Sequence, residues 1–241
     1  MAGVPVILTT GRSWHATRPV FEELELPPGP AVASNGAVTV QFPPFELLTA
    51  ATFDPSEVID KVLREHPTAA LAAEVVGTGY RVTRAFPEGE LFGQIDEVSA
   101  EELSGDDVSR IIVRDPDASE HEFIDLAGRL GLHGVSYSVG WSAWLDIAPA
   151  GVNKATGLAE VVSALGYTAD DVLAMGDGRN DIEMLRWAGR GVAIGDACAE
   201  VRAAADDVTG CFADGGTTAE LERWFGRTAS RPVGQFRAAV G

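Results

Sequence analysis

From Ile147 onward the chain alternates short apolar runs with helical stretches, and this pattern restricts the fold more than any other feature. A helix is predicted from about Lys154 to Leu165, ended by Gly166. A strand follows at Val172–Met175, a helix begins after Asp181, and another strand covers Gly191–Ile194. Two more helices are expected at about Ala199–Ala205 and Thr218–Phe225. Strands that alternate with helices imply a parallel, doubly wound α/β sheet. The start of the chain fits the same scheme. Val4–Thr9 reads as a buried strand, Ser13–Leu26 as a helix interrupted near Pro19, and Ala31–Ala33 as a short strand.

The middle of the chain differs. Asp54-Pro55-Ser56-Glu57 has an acidic cap, an early proline and a Glu, which together start a helix running to about His66. Strands are predicted at Leu71–Val76, Tyr80–Arg84, Val108–Val113, Val135–Val139 and Ala143–Ile147, with a helix at about Glu120–Leu130. This is an α+β block inside an α/β frame. The expected division is a core of residues 1–40 and 146–241 with an inserted domain over 41–145.

Composition narrows the function. Net charge is −18, from 36 acids and 18 bases. Nucleic acid and anionic membranes need a basic face, so neither is an expected partner. The field also repels phosphorylated metabolites, so an anionic substrate must be received by a metal and a few local cations. No apolar run is long enough to span a bilayer and no secretion signal opens the chain, so a cytoplasmic location is expected. Cys198 and Cys211 are read as reduced structural residues. The four histidines have no metal spacing and are read as ordinary.

Four pieces fall just past predicted strands, where open α/β sheets bind ligands. They are Thr10-Gly11-Arg12, Ser34-Asn35-Gly36, Asn153-Lys154 and the turn Gly176-Asp177-Gly178-Arg179-Asn180-Asp181. The last places two carboxylates in one tight turn after a strand, and hard oxygens of this kind suit Mg²⁺. Its bland alternative is an ordinary Gly/Asn/Asp turn, which does not account for two acids. Lys154 opposes the dipole of the helix it starts, at a cost of roughly 0.3–1 kcal/mol. Thr10, Lys154 and backbone amides could hold a phosphoryl group while Asp177 and Asp181 hold the metal. Trp141 and Trp144 are read as strand-end packing, and Arg179 as a solvated surface residue.

The ordered set resembles the haloacid dehalogenase-like hydrolases, in the Cof-type, sugar-phosphatase branch. The resemblance covers the whole chain. It is most specific from Leu145-Asp146-Ile147 through Gly151-Val152-Asn153-Lys154 to Gly176–Asp181, and extends to Gly191–Gly195 and Asp214-Gly215. It implies a Rossmann-like core with an α+β cap that chooses the substrate. It also implies a Mg²⁺-dependent phosphatase acting on a small phosphorylated metabolite, such as a sugar phosphate, through an aspartyl-phosphate. Thr10 and Lys154 would be catalytic. Gly11, Arg12, Ser34, Asn35, Gly36 and Asn180 would bind phosphate or substrate, and Asp177 and Asp181 would bind metal. One departure matters. The family's nucleophile lies in an Asp-x-Asp pair on a first central strand well before Thr10, and residues 1–9 contain no acid. That strand is therefore expected to be missing from this sequence, whose Gly-Val-Pro start reads as the end of a helix followed by strand entry. The other readings are a metabolite-binding protein without chemistry and a sugar-phosphate mutase. Neither substrate nor oligomeric state is legible.

Overall fold

In a computed structural model, residues 3–130, 135–139 and 143–226 are described. They form mixed parallel and antiparallel sheets with helices, the α/β class expected. The strands are β1 Leu8–Thr9, β2 Gly29–Ala33, β3 Val38–Phe42, β4 Glu46–Ala50, β5 Ala70–Val75, β6 Gly79–Val82, β7 Gln94–Glu97, β8 Ile111–Arg114, β9 Val135–Val139, β10 Trp144–Pro149, β11 Leu173–Gly176, β12 Arg190–Ala193 and β13 Asp207–Val208. The helices are α1 Trp14–Glu23, α2 Ser56–Glu65, α3 Ala100–Leu103, α4 Glu120–Leu130, α5 Lys154–Ala164, α6 Ile182–Trp187, α7 Ala199–Ala204 and α8 Gly216–Phe225. The chain divides into two compact units. One runs to Val6 and resumes at Lys154; the other is Ile7–Asn153.

The Ile7–Asn153 unit holds two sheets. In the first, β1 pairs parallel to β2, and β2, β3 and β4 pair antiparallel. Trp14 and Phe21 of α1 cover it, and both meet Phe42 edge to face. The second sheet has the order β7-β6-β5-β8-β10-β9. Every residue of β8 is buried, so this strand is covered on both faces. Leu71, Ile111, Val113, Leu145 and Ile147 pack with Val58 and Val62 of α2 and Phe123 and Leu126 of α4. Asp54 Oδ1 accepts from the Ser56 amide at 2.9 Å and so starts α2 as its sequence predicts.

Two expectations for the start of the chain need correction. The buried strand predicted over 4–9 is only Leu8–Thr9, and Val6 is 51% exposed. Pro5 has no N–H to give a ladder, and β1 pairs only with β2 among the described strands. Pro19 does not interrupt α1, which runs through it from Trp14 to Glu23. The cost is one hydrogen bond toward residue 15, and the aromatic face of the helix offsets it.

The other unit is the expected parallel arrangement, with β11, β12 and β13 in sequence order. Helix α6 lies so close on β12 that a Cβ on Gly191 would stand 2.1 Å from the Leu185 carbonyl oxygen. Arg190 anchors α8 to the sheet. Its guanidinium is buried and bonds Glu220 and Asp207, each at 2.9 Å, and it lies over the Trp224 ring. Removing one partner of a buried pair strands the other. Arg190→Met is therefore expected to lower the unfolding free energy by about 3–5 kcal/mol. Arg223→Met, at an exposed pair with Asp207, is expected to cost less than about 1 kcal/mol. Denaturant unfolding of both variants measures the difference.

Candidate active site

In the unit that holds Lys154, strand β11 ends at Gly176 and the chain turns through Asp177 and Gly178 into α6. Asp181 organises the turn. Its Oδ2 accepts from the amides of Asp177 at 3.0 Å and Gly178 at 2.9 Å. Its Oδ1 accepts from Lys154 Nζ at 2.5 Å. Both side chains are buried, Lys154 at 6% and Asp181 at 4% exposure. Gly176 is required by space: a Cβ there would stand 2.6 Å from the Asp181 Cβ and carboxylate, whereas one on Gly178 would meet the movable end of the Asn180 side chain at 2.5 Å.

The two predicted metal ligands therefore differ. Asp181 already satisfies two amides and an ammonium. Asp177 is exposed at the carboxyl end of β11, and its carboxylate makes no hydrogen bond or ion pair among the described residues. Among those residues no group of three or more His, Cys, Asp or Glu side chains is placed to hold a metal. The donor set still fits Mg²⁺, which commonly takes one or two carboxylates and fills its remaining positions with water and phosphate oxygens. Arg179, predicted as a surface residue, bonds Glu200 at 3.4 Å and is partly exposed.

The Ile7–Asn153 unit brings together the other two predicted pieces. The Asn35 amide donates to the Thr10 carbonyl at 3.1 Å, and the Ser34 amide donates to the Arg12 carbonyl at 2.8 Å. Thr10 Oγ1 accepts from the Arg12 amide at 3.1 Å. Ser34, Asn35 and Gly36 form one tight turn with positive φ at all three residues, 51°, 54° and 99°. Left-handed backbone at two non-glycine residues costs roughly 1–2 kcal/mol each, so the surroundings must hold it. The side chain of Arg12 is exposed and that of Ser34 fully buried.

A buried charge cluster supplies that hold, and the sequence analysis did not assign it. Ser34 Oγ donates to the Glu74 carboxylate at 2.8 Å. Arg110 bonds Glu74 Oε2 at 2.9 Å, Asp146 Oδ1 at 3.1 Å and Tyr80 Oη at 2.6 Å, and donates to the Gly11 carbonyl. Trp144 Nε1 donates to Asp146 Oδ2 at 3.0 Å. Burial works against the charged guanidinium, yet Tyr80, Glu74 and Asp146 hold its pKa above the ordinary value. Burial also raises the Asp146 carboxyl, against the pull of Arg110. The available signal was a charge set inside apolar strand runs: Glu74 within Leu71–Val76, and Arg110 directly before Ile111–Val113.

A family profile for haloacid dehalogenase-like hydrolases matches residues 1–221. The chain belongs to this family. It is 30% identical to the pyridoxal phosphate phosphatase YbhA of Escherichia coli, over 87% of this chain and 82% of that protein. It is 40% identical to the 5-amino-6-(5-phospho-D-ribitylamino)uracil phosphatase YcsE of Bacillus subtilis, but that match spans 33% of this chain and 32% of that protein. The structure of the subclass IIB sugar phosphatase BT4131 superposes with a TM-score of 0.75 at 22% identity, covering 92% of this chain and 85% of that one. The last likeness shows the shared Rossmann-like α/β fold. The family is one of hydrolases, and these three relatives are phosphatases by name.

Burial raises the Tyr80 hydroxyl from 10.0 to about 12, with Arg110 opposing and Glu74 adding to the rise. A raised folded-state value means the neutral hydroxyl stabilises the fold fully below about pH 10, and that this contribution is lost as pH rises through about 12. Thermal unfolding of the parent should therefore lose on the order of 2 kcal/mol over that range relative to Tyr80→Phe. Parallel alkaline loss in both proteins would contradict the shift.

Proposed function

We propose that this chain is the phosphate- and metal-binding framework of a Mg²⁺-dependent phosphatase for a small phosphorylated metabolite, with a sugar phosphate or similar phosphomonoester as the substrate class. The observation that carries the reading is the turn at 176–181. One carboxylate, Asp181, is spent on fixing Lys154 and two amides, while a second, Asp177, is left outward at a strand end. That is a cation and a metal-seeking anion held apart by geometry, which suits a phosphoryl group.

The roles divide accordingly. Asp177 is the direct metal ligand, and the ion would neutralise charge on the phosphoryl oxygens. Asp181 sets the direction of the Lys154 ammonium and closes the turn through its two amide bonds. Lys154 neutralises phosphoryl charge. The Thr10 hydroxyl, held by the Arg12 amide, and the Gly11 amide donate to phosphate, and the Ser34–Gly36 turn fixes that loop. The family resemblance assigns both sets of residues to one reaction. Residues 41–145 act as the substrate-choosing cap and the remainder as the core. The relatives' names support the phosphomonoester class, and the −18 charge supports local capture of the anion rather than surface steering.

The resemblance requires an Asp-x-Asp nucleophile ahead of Thr10, and residues 1–9 contain no acid. The aspartyl-phosphate step is therefore assigned to a chain that carries such a pair before Thr10. Binding is assigned to residues 1–241. The Lys154–Asp181 pair and the exposed Asp177 would serve equally a second reading, a phosphate-binding protein without turnover. A parallel assay separates the two. In a chain bearing Asp-x-Asp before Thr10, Mg²⁺-dependent phosphate release from sugar phosphates is expected, and Lys154→Met should lower kcat by about 10²–10³-fold. Release by residues 1–241 alone that Asp177→Ala abolishes would contradict the nucleophile assignment. Phosphate binding without release in either chain would favour the second reading.

A further inference from the structure

The loop at residues 10–12 has each of its three carbonyl oxygens tied down by a separate donor. The Asn35 amide holds that of Thr10, the Ser34 amide that of Arg12, and the Arg110 guanidinium that of Gly11. A peptide unit is planar and trans, so fixing a carbonyl also fixes the next residue's N–H on the opposite side. The three donors therefore set the directions of the Gly11, Arg12 and Ser13 amides. An anion site needs carbonyl oxygens turned away from the ligand, and here the Arg12 amide is in turn directed onto Thr10 Oγ1 at 3.1 Å. Two of the three donors are backbone groups of the adjoining turn. The third arrives from a side chain 99 residues along the chain.

We propose that Arg110 is the positioning residue of the phosphate-accepting loop: by holding the Gly11 carbonyl it directs the Arg12 amide onto Thr10 Oγ1 and so fixes the hydroxyl that is left to donate to phosphate. This rests on the reading of residues 10–12 as that loop. Gly11 has no side chain, so only its main chain can be held. The guanidinium suits the task because its planar fork reaches Glu74 through Nε, Tyr80 through Nη2, and both Asp146 and Gly11 through Nη1. An ammonium is a point donor and cannot span the four. The same cluster registers the neighbouring turn, because Glu74 also accepts from Ser34 Oγ. A single buried cation thus sets both loops against the second sheet, and the residues that choose it, Glu74, Tyr80 and Asp146, lie on β5, β6 and β10. Stability alone does not require the Gly11 bond. Arg114, a second buried arginine of that sheet, bonds Glu90 and the Ala143 carbonyl and reaches neither loop.

That contrast gives the control. The test is the titration of residues 1–241 with inorganic phosphate in Mg²⁺, beside amide NMR spectra of the same proteins without phosphate. Arg110→Lys keeps the charge, and is expected to fold, to shift the Gly11 and Arg12 amide resonances, and to weaken phosphate binding by about fivefold or more. Arg114→Lys is expected to lower the thermal midpoint by a similar amount and to leave phosphate affinity and those resonances unchanged. Thr10→Ala probes the loop itself and is expected to weaken binding. Parent-like affinity and unshifted loop amides in Arg110→Lys would overturn the positioning role, as would an equal loss in Arg114→Lys. No phosphate binding by the parent, or none of it sensitive to Thr10→Ala, would instead overturn the reading of the loop. Should Arg110→Lys fail to fold, Glu74→Gln serves in its place: it keeps Arg110 but weakens its anchor, and the same two readouts apply.

Discussion

Removing a charge from water costs several kcal/mol even after relaxation, and this chain does so with Lys154, Arg110, Arg114 and Arg190. Each of the four is held by at least one carboxylate: Asp181, Glu74 with Asp146, Glu90, and Glu220 with Asp207. In a protein of net charge −18 the acids for this are plentiful, and the cations are the scarce resource. Where a buried cation stands therefore decides which loop or helix is held rigid. Arg190 fixes α8 to β12, Arg110 fixes two loops against a sheet, and Lys154 fixes the acidic turn after β11.

The Lys154–Asp181 pair shows how a structural bond and a functional one can be the same bond. Asp181 closes the turn by accepting two amides, and the geometry of the turn depends on Gly176 leaving room for its carboxylate. The same carboxylate points Lys154. Asp177, four residues earlier, has no such duty and stays exposed. Both Asp177 and Asp181 were expected at the metal. The hydrogen bonds support a division between a ligand and an organiser.

What could be read from the residues follows the physics of each signal. The helices and strands from Lys154 onward were legible because apolar period and glycine stops agree over short spans, as at Gly166. Strand β1 was overestimated because an apolar run carries no information on whether a neighbour exists to complete its ladder. Strand β4, exposed along its whole length, and the short β7 had no apolar alternation to announce them. The Thr10–Arg12 and Ser34–Gly36 loops of one unit and the 176–181 turn of the other were legible as motifs, since Gly, Asn and Asp in turns have local causes. The Arg110 cluster was not. The bonds that Arg110 makes to Tyr80, Glu74 and Asp146 span 30 to 36 residues, that from Ser34 to Glu74 spans 40 and that to Gly11 spans 99, and no local rule links a buried Glu, Tyr, Arg and Asp until strand order places them side by side.

The central claim is that Asp177 takes the metal while Asp181 keeps Lys154 and the two amides. A crystal structure grown with Mg²⁺ and inorganic phosphate tests it most directly. The ion is expected on the Asp177 carboxylate and a phosphate oxygen within hydrogen-bond reach of Lys154 Nζ, with both amide bonds to Asp181 Oδ2 unchanged. A metal bound through Asp181 with those amide bonds broken, or an Asp177 carboxylate that stays free of metal at saturating Mg²⁺, would contradict it.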